Sequence, residues 1–264
     1  AGAALAEHMD VDKIAFTGEN TTGRIIMQAA SKNLKRVSLE LGGKSPNIVF
    51  ADSDIDSAVA GAMTGIFFNQ GEVCCAGSRL FLEKSIHNEF VDKLSSRASN
   101  LSVGNPEDAG TQMGAQVSKE QFDKILGYID SGKQEGAKLV TGGERCGERG
   151  YFIKPTIFDA VANNMKIARE EIFGPVVSAI TFDDVDDMVR QSNRSIYGLA
   201  AAVWTRDIKK AHRLARDLKA GTIWINTYNS FDAASPFGGF KQSGFGRELG
   251  VHALELYTQV KSVW

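Results

Sequence analysis

Short apolar runs alternate with helical patterns along most of this chain, and that alternation restricts its fold more than any other feature. Runs at 13–16, 36–41, 47–50, 80–82, 138–140, 156–158, 176–182, 199–204 and 222–225 read as strands. Helical spacing falls between them, at about 22–31, 86–99, 185–191 and 208–218. The clearest helix starts with Ser53 or Asp54 as its cap and carries Ile55, Ala58, Val59, Ala62, Met63, Ile66 and Phe67 on one stripe. Another opens at Ser118-Lys119-Glu120-Gln121, a capping-box pattern, with Phe122, Ile125, Leu126 and Ile129 as its inner face. Strand and helix in regular exchange imply an α/β fold: a mainly parallel sheet with helices on both faces.

At 264 residues and 43% hydrophobic content, the chain can bury one large core or two modest ones. Its net charge of -2 carries no long block of one sign, which argues against nucleic acid or a polybasic membrane surface as partner. No apolar run has the length of a membrane span, and the first ten residues lack a targeting pattern. Three cysteines, two adjacent, form no disulfide framework, and no spacing suggests a metal site, so a reducing cytoplasm is expected. The dispersed His8, His87, His212 and His252 read as helical surface or edge.

Chemistry concentrates at a few turns. Phe67 to Arg79 joins the clearest helix to a strand and sets Cys74 and Cys75 between Gly71 and Gly77. A thiol at such a junction can reach a ligand, and nearby N–H groups favour its thiolate. The competing reading is small buried filler. Thr17 to Gly23 links a strand to a helix, and Gly18 would let a phosphate approach the helix N-terminus, although Glu19 sets a negative charge there. Glu40 ends the strand before Gly42-Gly43, as a general base or as a solvated edge residue. Glu171 and Phe173 precede a Gly-Pro turn; a carboxylate suits a sugar hydroxyl and a ring suits a flat group, but a charged helix end with a core anchor has the same pattern. Ser235 to Gly246 is too apolar and glycine-rich for a plain solvent loop and reads as a pocket wall. Residues 248–256 read as helix and 257–264 as an apolar strand suited to another subunit's sheet edge.

The Phe-Thr-Gly turn, Leu39-Glu40-Leu41-Gly42-Gly43-Lys44-Ser45-Pro46, the Cys74 loop, Glu171-Ile172-Phe173-Gly174-Pro175 and Pro236-Phe237-Gly238-Gly239 come in the order of the NAD(P)-dependent aldehyde dehydrogenases. The chain resembles that superfamily from about Val11 to Val263. The resemblance implies that Cys74 is the nucleophile and Glu40, 34 residues earlier, the base that activates water. It implies NAD, or NADP, as cofactor, with the stretch holding Gly18, Glu19 and Gly23 as the pyrophosphate turn and Leu41 among the cofactor-binding residues. Gln121 and Lys124 would reach the adenosine ribose, Glu171 the nicotinamide ribose, and Phe173 would stand beside the nicotinamide. Phe68, Phe231 and Phe237 would line a tunnel for an apolar aldehyde. Glu19 departs from the family's usual serine.

The family's chains are about twice this length. The resemblance therefore implies a C-terminal portion: residues 1–41 as the end of a Rossmann-type cofactor domain, 42–243 as the catalytic domain, and 244–264 as a helix and oligomerisation strand of a homo-oligomer. It also places the second oxyanion donor elsewhere, so the expected dehydrogenase activity of these residues alone is poor. A cofactor-free thiol esterase and a non-catalytic assembly fragment are the other classes left open.

Overall fold

A computed structural model describes residues 1–264. The elements are α1 (Gly2–Glu7), β1 (Lys13–Thr17), α2 (Asn20–Ala30), β2 (Arg36–Glu40), β3 (Pro46–Val49), α3 (Ile55–Phe67), β4 (Arg79–Glu83), α4 (His87–Ser99), α5 (Lys119–Gln134) and β5 (Lys138–Thr141). They continue with β6 (Thr156–Asp159), α6 (Lys166–Arg169), β7 (Val176–Phe182), α7 (Val185–Asn193), β8 (Ala200–Trp204), α8 (Ile208–Asp217), β9 (Thr222–Ile225), β10 (Gly244–Phe245) and α9 (His252–Glu255). Seven strands form one sheet in the order β5-β6-β7-β4-β3-β8-β9, parallel except where β5 meets β6.

The period of two along these strands divides the core. Leu80 and Leu82 of β4, with Ala200 and Ala202 of β8, face a cluster built on Ala58, Val59 and Ile66 of α3 and Phe90 and Leu94 of α4. Phe81, Ala201 and Val203 point the other way, into Phe122, Ile125 and Ile129 of α5 and Leu214 of α8. Each strand is thus apolar on both sides, as a parallel sheet between helix layers requires. Asp54, one of the two caps read from the sequence, accepts from Ser57 N–H at 2.9 Å and starts α3.

A second, three-stranded sheet has the order β1-β2-β10, with β1 parallel and β10 antiparallel to β2. The residues after 243 therefore return to the sheet that holds Glu40. The helix read at 248–256 is only four residues long, His252–Glu255, and 257–264 forms no strand. Val260 and Trp264 are fully exposed. The reason is physical: a strand exists only against a partner, and no edge of this chain pairs with the segment. His87 also departs from the surface role expected of it. It is buried, Nε2 lying 2.7 Å from Asp159 Oδ1 and Nδ1 2.9 Å from Thr181 Oγ1, and it fastens the start of α4 to β6 and β7.

Candidate active site

The cysteine loop is a strained connection. After α3 the chain passes through Asn69, Gln70 and Gly71 at φ of 49°, 46° and 77°, three successive left-handed residues. A Cβ on Gly71 would lie 2.2 Å from the Gly174 backbone, so only glycine fits where the loop crosses the Glu171–Pro175 turn. Gly43 is constrained in the same way, since a Cβ there would lie 2.3 Å from the Cys74 carbonyl oxygen. Two side-chain-free contacts thus bring the end of β2, the cysteine loop and the Glu171 turn together. A cleft among them is lined by Gly43, Gly71, Val73, Glu171 and Phe173.

Cys74 is partly exposed and Cys75 is 2% exposed. The Cys75 thiol and the backbone N–H groups of Cys74 and Cys75 hold the Cys74 thiol below its ordinary pKa, against burial and the Glu171 charge. Cys75 is pushed up by the same contact and by burial, so Cys74 is the thiol that ionises first.

Glu40 is not the solvated edge residue of the competing reading. It lies in the central strand of the three-stranded sheet and is 7% exposed, with Oε2 lacking any hydrogen-bond partner. Burial first, then the Glu248 and Cys74 charges, raise its pKa to about 8, with Arg247 opposing. A carboxyl poised near neutrality suits proton transfer at that pH. Glu248 and Arg247 were not singled out in the sequence. They arrive through a reciprocal pair of 2.7 Å backbone bonds between Phe237 and Glu248, which closes the glycine-rich wall onto itself.

Glu171 is half-buried and accepts from Gly43 N–H at 2.9 Å. Burial raises its pKa, while that N–H, Lys124 and Lys44 act against the rise. Phe173, at φ 56°, follows it in the turn. Gln121 does not turn back to complete the capping box. Ser118 Oγ accepts from Gln121 N–H at 3.2 Å, but the Gln121 amide donates to the Ile172 and Phe173 carbonyls at 3.0 and 2.6 Å, bracing the Glu171 turn. Lys124 is exposed on the same helix.

At the glycine turn, Gly18 is exposed and donates to the Glu40 carbonyl at 3.0 Å, which ties this turn to the end of β2. Glu19 is the exposed N-cap of α2 and makes no capping bond with its side chain. Gly23 is buried, and a Cβ there would meet Leu41 at 3.0 Å, so Leu41 packs beneath the helix. Asn20 and Arg24 of α2 bond the Gln242 carbonyl and side chain at 2.5 and 2.8 Å.

The aromatic wall is a chain of rings. Phe237 and Phe231 lie 5.5 Å apart, Phe231 and Trp224 5.5 Å, and Trp224 and Tyr228 4.8 Å. Tyr228 then donates to the Cys75 carbonyl at 2.8 Å, so the wall and the cysteine loop share one footing. Phe68 lies on the turn after α3, 62% exposed and outside this stack. The sequence reading missed Tyr228 and Asn229, which follow β9 with no motif of their own. It also missed Lys44, whose buried Nζ has no hydrogen-bond partner; burial, helped by Arg79, lowers its pKa to about 7 against the pull of Glu171 and Glu170. A lysine wedged between a glycine pair and a strand was the available signal.

A thiol held below its ordinary pKa, a buried carboxyl whose pKa that thiol's charge helps to raise, and an apolar ring wall thus come together on a parallel α/β scaffold. The family model described as "Aldehyde dehydrogenase family" matches residues 1–263. The mitochondrial aldehyde dehydrogenase of Homo sapiens is 56% identical over 264 residues, covering all of this chain and 51% of that protein. An aldehyde dehydrogenase of Emericella nidulans is also 56% identical, with 53% of its length covered. Among solved structures, the NAD+ complex of the Bacillus cereus aldehyde dehydrogenase superposes with a TM-score of 0.98 at 52% identity, over all of this chain and 54% of that one. The chain belongs to the aldehyde dehydrogenase family. It spans about half the length of the curated relatives it matches.

Proposed function

We propose that these residues carry the covalent half of an NAD-dependent oxidation of an aldehyde to a carboxylic acid. The observation that carries the reading is the buried Glu40, poised near pH 8 in the field of a Cys74 that ionises readily. The Cys74 thiolate adds to the aldehyde carbon and the carbonyl oxygen becomes an oxyanion. NAD, when bound, supplies the hydride acceptor that leaves a thioester on Cys74. Glu40 then takes a proton from water, the hydroxide adds to the acyl carbon, and the Cys74 thiolate is expelled as the acid forms.

The residues fit a dinucleotide. Glu171 is a half-buried acceptor at the cleft, Gly18 opens the approach to the first turn of α2, and Phe173 borders the same cleft. The exposed Glu19 at the N-cap sets a negative charge beside that approach. Lys124 and Gln121 then serve by countering the Glu171 charge and bracing its turn. The Phe231–Phe237 stack supports an apolar aliphatic or aromatic aldehyde, with Phe68 at the mouth. Residues 1–41 would belong to the cofactor domain and 42–243 to the catalytic domain. Residues 257–264, exposed and apolar, would pair across a homo-oligomer, in a reducing cytoplasm that keeps Cys74 free.

The test is NADH formation from hexanal, benzaldehyde and a charged aldehyde such as glyoxylate. Turnover of the first two, lost in Cys74→Ala, is expected. Absorbance unchanged by Cys74→Ala, or a preference for glyoxylate, would refute the assignment. The family resemblance places a second oxyanion donor outside these residues, and one missing donor costs ~10² or more in rate, so slow turnover is expected of them alone.

A further inference from the structure

Gln70 and Gly71, at φ 46° and 77°, are the central residues of a turn that Glu72 N–H closes onto the Asn69 carbonyl at 2.9 Å. Glycine takes this left-handed backbone freely, but Gln70 does not, and such a residue persists only where its surroundings fix it. Glu72 supplies the fixing groups. Its Oε2 accepts from the Gln70 amide at 3.1 Å, its Oε1 from Val117 N–H at 3.0 Å, and its carbonyl from the Asn69 amide at 3.0 Å. One carboxylate thus ties the strained turn to the residue before Ser118, the N-cap of α5. From α5 the Gln121 amide reaches the Ile172 and Phe173 carbonyls, and the Gly174 backbone of that turn leaves no room for a Cβ on Gly71. Cysteine loop, helix start and Glu171 turn therefore form a closed ring of contacts, and Glu72 links the cysteine loop to α5.

We propose that Glu72 is a positioning residue for the nucleophile, its two carboxylate oxygens holding the turn just before Cys74 in register with α5. A carboxylate offers one acceptor oxygen to each of the two donors, and a side chain without polar atoms offers none. Acyl transfer depends on this placement more than alkylation does. In acyl transfer the carbonyl oxygen gains charge and must meet N–H donors beside the attacking sulfur, whereas displacement of iodide from iodoacetamide needs an exposed thiolate alone. Lost placement therefore separates the two reactions, while a lost thiolate slows both. The inference rests on Cys74 being the nucleophile, but it needs no cofactor.

The experiment compares two rates at one neutral pH in the full chain: acylation by p-nitrophenyl acetate, read from the burst of p-nitrophenolate, and alkylation by iodoacetamide. The labelled residue is mapped by peptide mass. Both rates are measured on the unmodified chain, Glu72→Met, Glu72→Gln and Gln70→Met, each checked by thermal melting. Glu72→Met is expected to slow acylation by ~tenfold or more, toward the ~10² that a misplacement of about 1 Å costs, with alkylation little changed. Glu72→Gln is expected to restore most of the rate, since its amide oxygen still accepts from Val117 and its NH2 donates to Gln70 once that amide turns over. Gln70→Met loses one of the two carboxylate bonds and is expected to fall between. Acylation unchanged in Glu72→Met, or acylation and alkylation falling in parallel, would overturn the proposal. Should Glu72→Met not fold, unchanged acylation in Gln70→Met would overturn it equally. Label mapping away from Cys74 in the unmodified chain would instead remove the nucleophile assignment on which it rests.

Discussion

The two sheets of this molecule are built to different standards. In the seven-stranded sheet, β8 is buried at every residue and β4 at all but its last, whereas β1 of the three-stranded sheet has no buried residue. Helices α3, α4, α5 and α8 close the large sheet from both sides, but α2 buries only Gly23 and Ala30 and leaves Ile25 60% exposed. Yet the site needs both. The large sheet delivers Cys74 on the connection into β4, and the small one delivers Glu40 at the end of β2. Strain in the cysteine loop is tolerable because its two ends are anchored in the dense sheet. Glu40 instead acquires its character from burial against Gly238 and from the charges around it.

The largest expected effect divides the chemistry along the same line. Cys74→Ala is expected to abolish acylation by p-nitrophenyl acetate with the melting temperature little changed. Glu40→Gln is expected to leave acylation intact and slow deacylation by ~10² to 10⁴, the usual worth of a positioned base. Acylation that survives in Cys74→Ala, or deacylation unaffected in Glu40→Gln, would break the division.

Stability tests sharpen the contrast between the sheets. Leu82→Ala, in the dense sheet, is expected to cost about 3 kcal/mol by denaturant titration, and Ile25→Ala, on the open face of α2, less than about 0.5 kcal/mol. Equal costs would mean that the sheets are equally well packed. Lys44→Met has the opposite sign. The folded Lys44 titrates at about 7 rather than its ordinary 10.5, so the ammonium's burial penalty is fully present below pH 7. Between those values the unfolded chain holds a proton that the folded one lacks, and stability rises with pH. Lys44→Met is therefore expected to raise the melting temperature by a few degrees at pH 6 and by less at pH 9. A lower melting temperature at pH 6 would show that the ammonium has a partner worth more than its desolvation.

The dense sheet was legible from sequence because each of its strands alternates against two apolar layers; α3 and its Asp54 cap fall where the pattern puts them. Residues 248–264 were not, because an apolar strand pattern states a capacity to pair without stating with what. His87 looked like surface because its partners, Asp159 and Thr181, come from strands far along the chain. In the site, Cys74, Glu40 and Glu171 stood out through their glycine neighbours, which signal close backbone approach. Tyr228, Asn229, Arg247 and Glu248 act by tertiary placement, and Gln121 hid a loop brace inside a helix-capping pattern.

The central claim, that carboxyl and thiol from separate sheets work on one acyl group, is tested most directly by the pH dependence of deacylation of acetyl-Cys74. Glu40 loses its proton as pH rises through about 8, and only the carboxylate can accept one from water. The deacylation rate is therefore expected to climb through that pH in the unmodified chain, and to lose the step in Glu40→Gln. The same step in both proteins would show that another group activates the water, and would contradict the account.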